Sequence, residues 1–383
     1  NSQRALANNS VNYREKPDIG TFMREWLSLY DSKSGERGIY NAASARRQVE
    51  SLNTEDNIRR EPRDDFGTNP CSEIILRSRE TCNLSEVVVR KEDILESLRD
   101  KVAVATILGT LQSTLTNYRY LSKEWKQNCE EERLLGVSLT GIMDNPIMNG
   151  SKGKDVLSAT LKELRKVAVD TNKEWAEKLG IPQSAAITCV KPSGTVSQLV
   201  DSASGIHARH NPYYIRTVRA DNKDPLCEFM KDAGFPNEPD VMKPHHTTVF
   251  SFPMKSPEDA IFRYSMTAIE QMELWKIYQQ SWCEHKPSVT ISVKENEWME
   301  VGAWVYENFD GISGISFLPF SEHSYRQAPY QDCTKEEYEE FAKKMPKKVD
   351  WSKLADYEKE DYTIGSQELA CSANGCEVVD LVA

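Results

Sequence analysis

The sequence predicts an α/β protein in which short parallel strands alternate with long helices. Apolar residues recur three or four positions apart over residues 94–118, which predicts an amphipathic helix. The same spacing runs over residues 156–179 and stops at Gly180-Ile181-Pro182, a pattern typical of a helix C-terminus. Short runs rich in β-forming residues lie between the helical segments, so the sequence favours an alternating strand–helix order.

The remaining elements follow the same two patterns. Further helices are predicted at residues 17–29, 261–282, 298–309 and, in a Lys/Glu-rich stretch, near 335–344. Strands are predicted at residues 72–76, 87–89, 186–190, 213–218, 247–252, 288–293 and 314–318. The chain becomes polar after about Pro329 and closes in a tail over residues 365–383 that has little apolar surface to bury.

Composition narrows the class of protein. With 383 residues, 39% hydrophobic and 28% charged, the chain resembles a soluble globular protein with a sizeable core. No apolar run approaches the ~20 residues of a membrane-spanning helix, so we expect no membrane. The net charge of −11 argues against a protein that binds nucleic acid by neutralising phosphates. Nine cysteines without a signal segment predict a reducing, cytoplasmic location.

The first candidate site lies in Phe66-Gly67-Thr68-Asn69-Pro70-Cys71-Ser72-Glu73-Ile74. An amide, a thiol and a carboxylate occupy the alternate positions Asn69, Cys71 and Glu73. Alternate side chains of an extended segment share a face, so all three would converge on one small molecule. The alternative is a loop cysteine before a strand, with a solvated Glu73.

Two further segments carry candidate residues. Cys82 lies eleven residues after Cys71 and would reach the same pocket across a bend, although a lone cysteine is more often a small buried hydrophobe. In Val190-Lys191-Pro192-Ser193-Gly194-Thr195-Val196-Ser197, a β run enters a turn that would open a helix. Hydroxyls and free N–H groups at such a turn suit a phosphate, although a plain capped turn has the same pattern.

The tail holds a pair of thiols, Cys371 and Cys376, in a small-residue segment close to the C-terminus. Exposed free cysteines are normally avoided, so the pair predicts a dithiol that exchanges electrons through a disulfide. Chance cysteines in a disordered tail are the alternative. A zinc site would need four ligands and no second Cys/His pair lies nearby, so no metal is expected.

The order and spacing of these motifs resemble the catalytic half of ribonucleotide reductases. The match comprises Asn69-Pro70-Cys71-Ser72-Glu73, Cys82, Lys191-Pro192-Ser193-Gly194-Thr195, Ser316-Phe317-Leu318-Pro319-Phe320 and the terminal Cys371-x4-Cys376. It is most similar to the adenosylcobalamin-dependent class II enzymes, in particular the monomeric ribonucleoside-triphosphate reductases. The resemblance implies reduction of ribonucleoside triphosphates to deoxyribonucleotides for DNA synthesis, with adenosylcobalamin as radical generator.

Residue roles follow from the resemblance alone. Cys71 would hold the thiyl radical at the tip of a finger loop and remove the 3′-hydrogen of the ribose. Glu73 would take the 3′-OH proton, Asn69 would bind the ribose hydroxyls and Cys82 would be one of two reducing thiols. Pro192, Ser193, Gly194, Thr195, Val196 and Ser197 would hold the substrate phosphates. Cys371 and Cys376 would re-reduce the site and then be reduced by a thioredoxin-like protein.

The resemblance also implies an architecture, the C-terminal half of a ten-stranded α/β barrel with a central finger loop and a flexible redox-active tail. We expect residues 1–330 to form this half, residues 331–364 a polar helical extension and residues 365–383 the dithiol tail. The chain starts at Asn1 and has no cysteine before Cys71, so we expect it to need a missing N-terminal half of the enzyme.

Other assignments are less well supported. A class I enzyme would need a radical-generating subunit and a tyrosine relay, for which only Tyr325 and Tyr330 lie nearby and they are not adjacent. A class III enzyme would carry a glycyl-radical loop and four zinc cysteines, and neither is visible. The motifs would also suit a class II diphosphate reductase, or a non-catalytic binding module derived from such an enzyme. Retention of the five reactive cysteine and glutamate residues argues against a non-catalytic module.

Overall fold

The computed structural model describes residues 10–33, 38–55, 57–63, 65–320 and 325–358. They fall into two compact units, the first within residues 1–209 and 259–320 and the second within 210–258 and 321–383. The first unit contains every predicted site residue except the two tail cysteines. The predicted extension and tail stay predictions, because residues 359–383 lie outside the described part of the chain.

The described elements alternate as the sequence predicts. The helices are α1 (Ile19–Ser32), α2 (Ala42–Glu50), α3 (Leu95–Gln112), α4 (Lys123–Glu132), α5 (Lys154–Leu179), α6 (Val196–Leu199), α7 (Pro225–Asp232), α8 (Ala268–Ser281), α9 (Trp298–Glu307) and α10 (Lys335–Lys343). The strands are β1 (Ser10–Tyr13), β2 (Gly38–Asn41), β3 (Gly67–Thr68), β4 (Ile75–Leu76), β5 (Asn83–Val88), β6 (Leu135–Thr140), β7 (Tyr213–Asp221), β8 (Asn237–Pro239), β9 (Thr247–Lys255), β10 (Thr290–Val293), β11 (Gly314–Pro319) and β12 (Tyr330–Asp332).

A row of parallel strand segments runs through the first unit. β5 pairs with β6 in parallel, and single parallel bridges continue the row from Val137 to Thr188 and from Val190 to Pro287. β10 then pairs in parallel with β11. The strand direction reverses after β11, because β11 pairs antiparallel with β2. β2 in turn pairs in parallel with β1. Five parallel segments therefore adjoin two strands of opposite direction.

Helices cover this row because their apolar faces need burial. α3 packs on β5 and β6 and against α5, and α5 in turn packs on α8. Leu98 and Val102 on α3 and Trp275 and Tyr278 on α8 are almost completely buried in the main core. The helices thereby hold the strands whose ends carry the site.

The second unit contains an antiparallel sheet in the order β12-β7-β9-β8. The expectation of parallel strands is therefore wrong for this unit. β7 and β9 pair along nine residues, from Tyr213 opposite Lys255 to Asp221 opposite Thr247. Strands that run in opposite directions need no helical crossover of the kind that a parallel pair requires.

Several predicted boundaries shift for local reasons. The helix predicted at residues 261–282 begins only at Ala268, because Thr267 and Glu270 form a capping box there. Residues 186–190 bond to both neighbours but make only two isolated bridges. The elements that were not predicted are β1, β2, β3, β6, β8, β12, α2, α4 and α7. None of the helices among the described residues is long and apolar enough to cross a membrane.

Candidate active site

Cys71 lies in the loop of a short β-hairpin. β3 and β4 pair antiparallel, with Gly67 opposite Leu76, and residues 69–74 connect them. We call residues 69–74 the Cys71 loop. Asn69 closes this loop twice, since its backbone oxygen accepts from Ser72 N–H at 2.9 Å and its Oδ1 accepts from Ile74 N–H at 3.1 Å. Among the described residues the Nδ2 group of Asn69 has no hydrogen-bond partner, so this donor is available to a ligand.

The expectation that residues 69, 71 and 73 share one face of an extended segment is wrong. Ser72 adopts a left-handed conformation with φ of 65°, which makes the loop a tight turn. As a result Cys71 is exposed at the tip, whereas the Glu73 side chain is completely buried. The charge of Glu73 nevertheless acts on the thiol of Cys71.

Residues 285–288 support the Cys71 loop and the start of β4 through hydrogen bonds to their backbone. The Lys286 N–H donates to the Glu73 backbone oxygen at 3.2 Å, and the Ser288 hydroxyl donates to the Cys71 backbone oxygen at 2.6 Å. Ile75 N–H donates to Nδ1 of His285 at 3.3 Å, and Nε2–H of that ring donates to Leu135 O at 2.9 Å. Burial lowers the pKa of His285 to about 3, so the ring is neutral as these bonds require.

Sequence reasoning missed these supporting residues. The only signal is the charged run Glu284-His285-Lys286 directly before a strand, where a solvated turn is the ordinary interpretation. In the structure all three side chains are at least 97% buried. Arg59 pairs with Glu284, from Nη1 to Oε1, at 2.5 Å. Glu284, His285 and Lys286 therefore belong to the buried structure that supports the Cys71 loop.

The Glu73 carboxylate is the most unusual polar group in the site. It is 0% exposed, and neither of its oxygens has a hydrogen-bond partner among the described residues. A buried carboxylate without donors is costly, because desolvation is not compensated. Buried polar groups of this kind mark positions that bind a ligand, a water or an ion. Glu73 therefore has two acceptor oxygens to which none of the described residues donates a hydrogen bond.

Both candidate thiols are held in the protonated form. Desolvation and the charge of Glu73 raise the pKa of Cys71, and Lys191 opposes them. Burial raises the pKa of Cys82 well above its ordinary value, and the charges of Glu73 and Glu80 add to this. A nucleophilic cysteine needs a lowered pKa. These thiols instead keep their S–H bonds, which suits hydrogen-atom and electron donation.

Cys82 lies on the same sheet face as the Cys71 loop. Its Sγ is 3.1 Å from the place that a Cβ on Gly136 would take, so the glycine makes room for the thiol. Cys82 packs against a cluster of buried apolar residues that includes Cys189. Asn83 pairs with Leu135, and Val137 pairs with Thr188. Cys189 therefore lies two strands away from Cys82 and four residues further along the strand direction. Their Cα atoms are then about 16 Å apart, too far for a disulfide.

The predicted phosphate-binding segment is a compact turn followed by the four-residue helix α6. Ser193 is buried in a left-handed conformation, and its hydroxyl donates to Glu86 Oε2 at 2.8 Å. The Ser197 hydroxyl bonds to Ser193 O and Ser204 Oγ. Gly194 and Thr195 are exposed. The serines therefore shape the turn, and its exposed tip is what a ligand would meet.

One positive charge, that of Lys191, acts on groups of both the Cys71 loop and the neighbourhood of this turn. Lys191, which opens the turn, lowers the pKa of both Cys71 and Glu86 against the effect of their burial. Its ammonium group therefore acts on the Cys71 loop and on the turn together. Among the described residues no group of three or more His, Cys, Asp or Glu could hold a metal ion. The predicted dithiol, Cys371 and Cys376, lies outside the described residues.

Comparison with known proteins agrees with this geometry. No protein-family model matches the chain. It is 31% identical over 293 residues to an adenosylcobalamin-dependent ribonucleoside-triphosphate reductase of Euglena gracilis, covering 75% of this chain and 39% of that protein. A protein of the same description from Lactobacillus gasseri is 29% identical over 304 residues, covering 71% of this chain and 40% of the relative.

A solved structure of a B-12-dependent, class II ribonucleotide reductase has the same fold. The TM-score is 0.73 at 22% identity, over 92% of this chain and 51% of that one. The chain is a relative of the C-terminal portion of the adenosylcobalamin-dependent ribonucleotide reductases. It spans about two fifths of the length of the curated relatives that it matches. The resemblance and the α/β fold predicted from the motifs are confirmed.

Proposed function

We propose that this chain is the catalytic portion of an adenosylcobalamin-dependent reductase that converts ribonucleoside triphosphates to 2′-deoxyribonucleoside triphosphates. The observation that carries the proposal is the buried Glu73 carboxylate, whose oxygens lack donors among the described residues, beside the exposed thiol of Cys71. A ribose hydroxyl would supply the missing donor. The names of the relatives point to the same substrate class.

Three residues of the Cys71 loop each have one task in this reaction. The Cys71 sulfur radical takes the 3′-hydrogen atom, so an S–H bond forms as the C–H bond breaks. Glu73 accepts the proton of the 3′-OH, and Asn69 donates from Nδ2 to a ribose hydroxyl. The raised pKa of Cys71 favours this chemistry over thiolate attack, because the hydrogen remains on sulfur until it is needed as an atom.

Reduction of the 2′-carbon needs two electrons and a leaving group. The 2′-OH departs as water, and two thiols supply the electrons as they become a disulfide. Cys82 is one of them. We propose that the second thiol is supplied by the N-terminal portion of the enzyme. Cys371 and Cys376 return the pair to thiols and receive electrons from a thioredoxin-like protein.

The substrate phosphates bind at the turn of residues 192–197. Its exposed tip, Gly194 and Thr195, offers backbone N–H groups and one hydroxyl at the start of α6, where such N–H groups lack partners within the helix. Lys191 adds a positive charge between this turn and Cys71. A triphosphate seated here would extend its ribose toward the Cys71 loop.

Adenosylcobalamin supplies, when bound, the radical that passes to Cys71. An exposed thiol at the tip of a turn fits this role, because a buried one would be closed to an external radical source. The seven described cysteines, Cys71, Cys82, Cys129, Cys189, Cys227, Cys283 and Cys333, are free.

A complementary polypeptide completes the enzyme. Within the described residues β5 pairs only with β6, which leaves its other edge open. On the neighbouring helix α3 and just after its end, apolar residues that are each at least 40% exposed recur every three or four positions: Val104, Leu108, Leu111 and Leu115. Open strand edges and contiguous apolar surfaces favour association with another chain segment. The N-terminal portion of the enzyme would cover both.

The test replaces Cys71 by serine in the enzyme completed with that portion. Serine keeps the size of the side chain but cannot host a sulfur radical, so we expect no deoxynucleotide from a folded Cys71→Ser enzyme supplied with adenosylcobalamin, a ribonucleoside triphosphate and a dithiol. Cys333→Ser, at a partly exposed cysteine of the second unit, is the matched control and should keep its rate. Turnover by Cys71→Ser would overturn the proposal.

A further inference from the structure

Lys286 is a buried lysine that none of the roles above uses. It is 1% exposed and lies at the start of the segment that supports the Cys71 loop. Its Nζ donates to the hydroxyl of Ser72 at 2.7 Å, and its backbone N–H donates to the backbone oxygen of Glu73 at 3.2 Å. A lysine is almost never fully buried unless it is paired. Its position beneath a reactive loop therefore calls for an explanation.

Ser72 is the residue through which the lysine acts on the loop. Its left-handed conformation sends Cys71 outward and Glu73 inward, and such a conformation is unfavourable for a residue with a Cβ. The contact from Lys286 fixes the Ser72 side chain, while Ser72 N–H is fixed by Asn69 O at 2.9 Å. The turn that separates thiol from carboxylate is thus held from both sides.

The surroundings of Lys286 are shaped for its ammonium group. A Cβ on Gly314 would overlap Nζ, so only glycine on β11 leaves this space. The Tyr40 ring of β2 lies with its centroid 5.9 Å from Nζ. Glu73 of the Cys71 loop and Cys283 at the end of α8 are the titratable groups whose charges act on it. Burial lowers the pKa of Lys286 to about 7, and Glu73 counteracts part of this effect.

We infer that Lys286 is a positioning residue for the Cys71 loop: its ammonium group fixes Ser72, and its positive charge acts on the buried Glu73 carboxylate. The consequence for catalysis rests on the proposed function. Without Lys286 the acceptor carboxylate loses this positive charge, and the thiol and carboxylate lose their fixed separation. Substrate phosphates bind elsewhere, so binding of substrate should be affected much less than the chemical step.

The first test follows the lysine itself in this chain, without substrate or cofactor. In protein labelled with 13Cε-lysine, we expect one NMR signal that titrates near pH 7 and is missing in Lys286→Met. Glu73→Gln should move that titration to lower pH, because it removes the negative charge that favours the protonated lysine. Only ordinary lysine titrations, or a signal that Glu73→Gln leaves unmoved, would overturn the inference.

The second test measures turnover by the completed enzyme. We expect Lys286→Met to lower kcat by about 100-fold, the effect of a small misplacement of reacting groups, with KM nearly unchanged. Gly314→Ala should act in the same way by displacing Nζ. Gly311→Ala, where an added Cβ meets nothing within 4 Å, is the control and should keep its activity. Unchanged kcat in both Lys286→Met and Gly314→Ala would refute the role.

The two tests separate this inference from the proposed function. An inactive wild-type enzyme would refute the proposed reaction, and the lysine titration alone would then decide the role of Lys286. A variant that fails to fold leaves the decision to the wild type and Glu73→Gln, which need no change at the lysine.

Discussion

Replacing Lys286 by methionine should change how the stability of the protein depends on pH. Folding lowers the pKa of this lysine from 10.5 to about 7, because the side chain is removed from water. Between these two values the unfolded chain carries a proton that the folded chain has released. The free energy of unfolding therefore rises with pH in this window, by about 1.4 kcal/mol per pH unit.

The magnitude follows from the width of the window. The two pKa values lie about 3.5 pH units apart, which corresponds to about 5 kcal/mol between pH 7 and 10.5. Methionine has a similar length and no charge, so it removes the titration of Lys286 from the folded and the unfolded chain alike. We expect the stability of Lys286→Met relative to the wild type to fall by about 1.4 kcal/mol for each pH unit above pH 7.

The assay is urea unfolding of both proteins at a series of pH values from about 6 to 10. Taking the difference between the two curves cancels the contribution of the buried thiols Cys82 and Cys189, whose raised pKa values lower the stability of both proteins in alkaline solution. Lys123→Met, at an exposed lysine of α4, is the control and should show no pH-dependent difference. A stability difference for Lys286→Met that is the same at every pH would contradict the reasoning.

Three further outcomes are expected. Serine at both Cys371 and Cys376 should stop multiple turnover with thioredoxin but leave activity with a small dithiol, and equal losses with both reductants would indicate another role. Gly136→Ala should destabilise the protein by about 1–3 kcal/mol in urea unfolding, since its Cβ would lie 2.5 Å from Cδ2 of Leu84 and 3.1 Å from Sγ of Cys82. An unchanged midpoint would contradict this. Burial and a neighbouring carboxylate raise the pKa of Glu80 from 4.5 to about 8. As the pH rises, the folded chain keeps this proton after the unfolded chain has lost it. The free energy of unfolding of the wild type, measured relative to that of Glu80→Gln, should therefore fall between pH 4.5 and about 8.

Much of the first unit could be predicted from local patterns. α3 and α5 follow from apolar residues three or four positions apart, because one helix face must enter the core. The order of the reactive residues also came from the sequence, since Cys71, Glu73 and Cys82 carry the resemblance. Short elements such as β1 and β2 have four residues each and too few apolar positions to show a period.

The geometry of the site could not be predicted in the same way. The left-handed conformation of Ser72 depends on partners more than two hundred residues away, Lys286 and Ser288, so the expected extended segment is a turn. Burial of a lysine is likewise a tertiary property. In the sequence Lys286 reads as part of a solvated charged run, and only the packing of β11 and β2 around it shows that it is enclosed.

The most direct test of the account asks whether the radical resides on Cys71. The completed enzyme, prepared with cysteine deuterated at its β-carbon, is mixed with adenosylcobalamin and a ribonucleoside triphosphate, frozen during turnover and examined by electron paramagnetic resonance. We expect a signal that narrows on deuteration, is present in Cys333→Ser and is absent in Cys71→Ser. A radical signal that is unaffected by β-deuteration, or that persists in Cys71→Ser, would contradict the account.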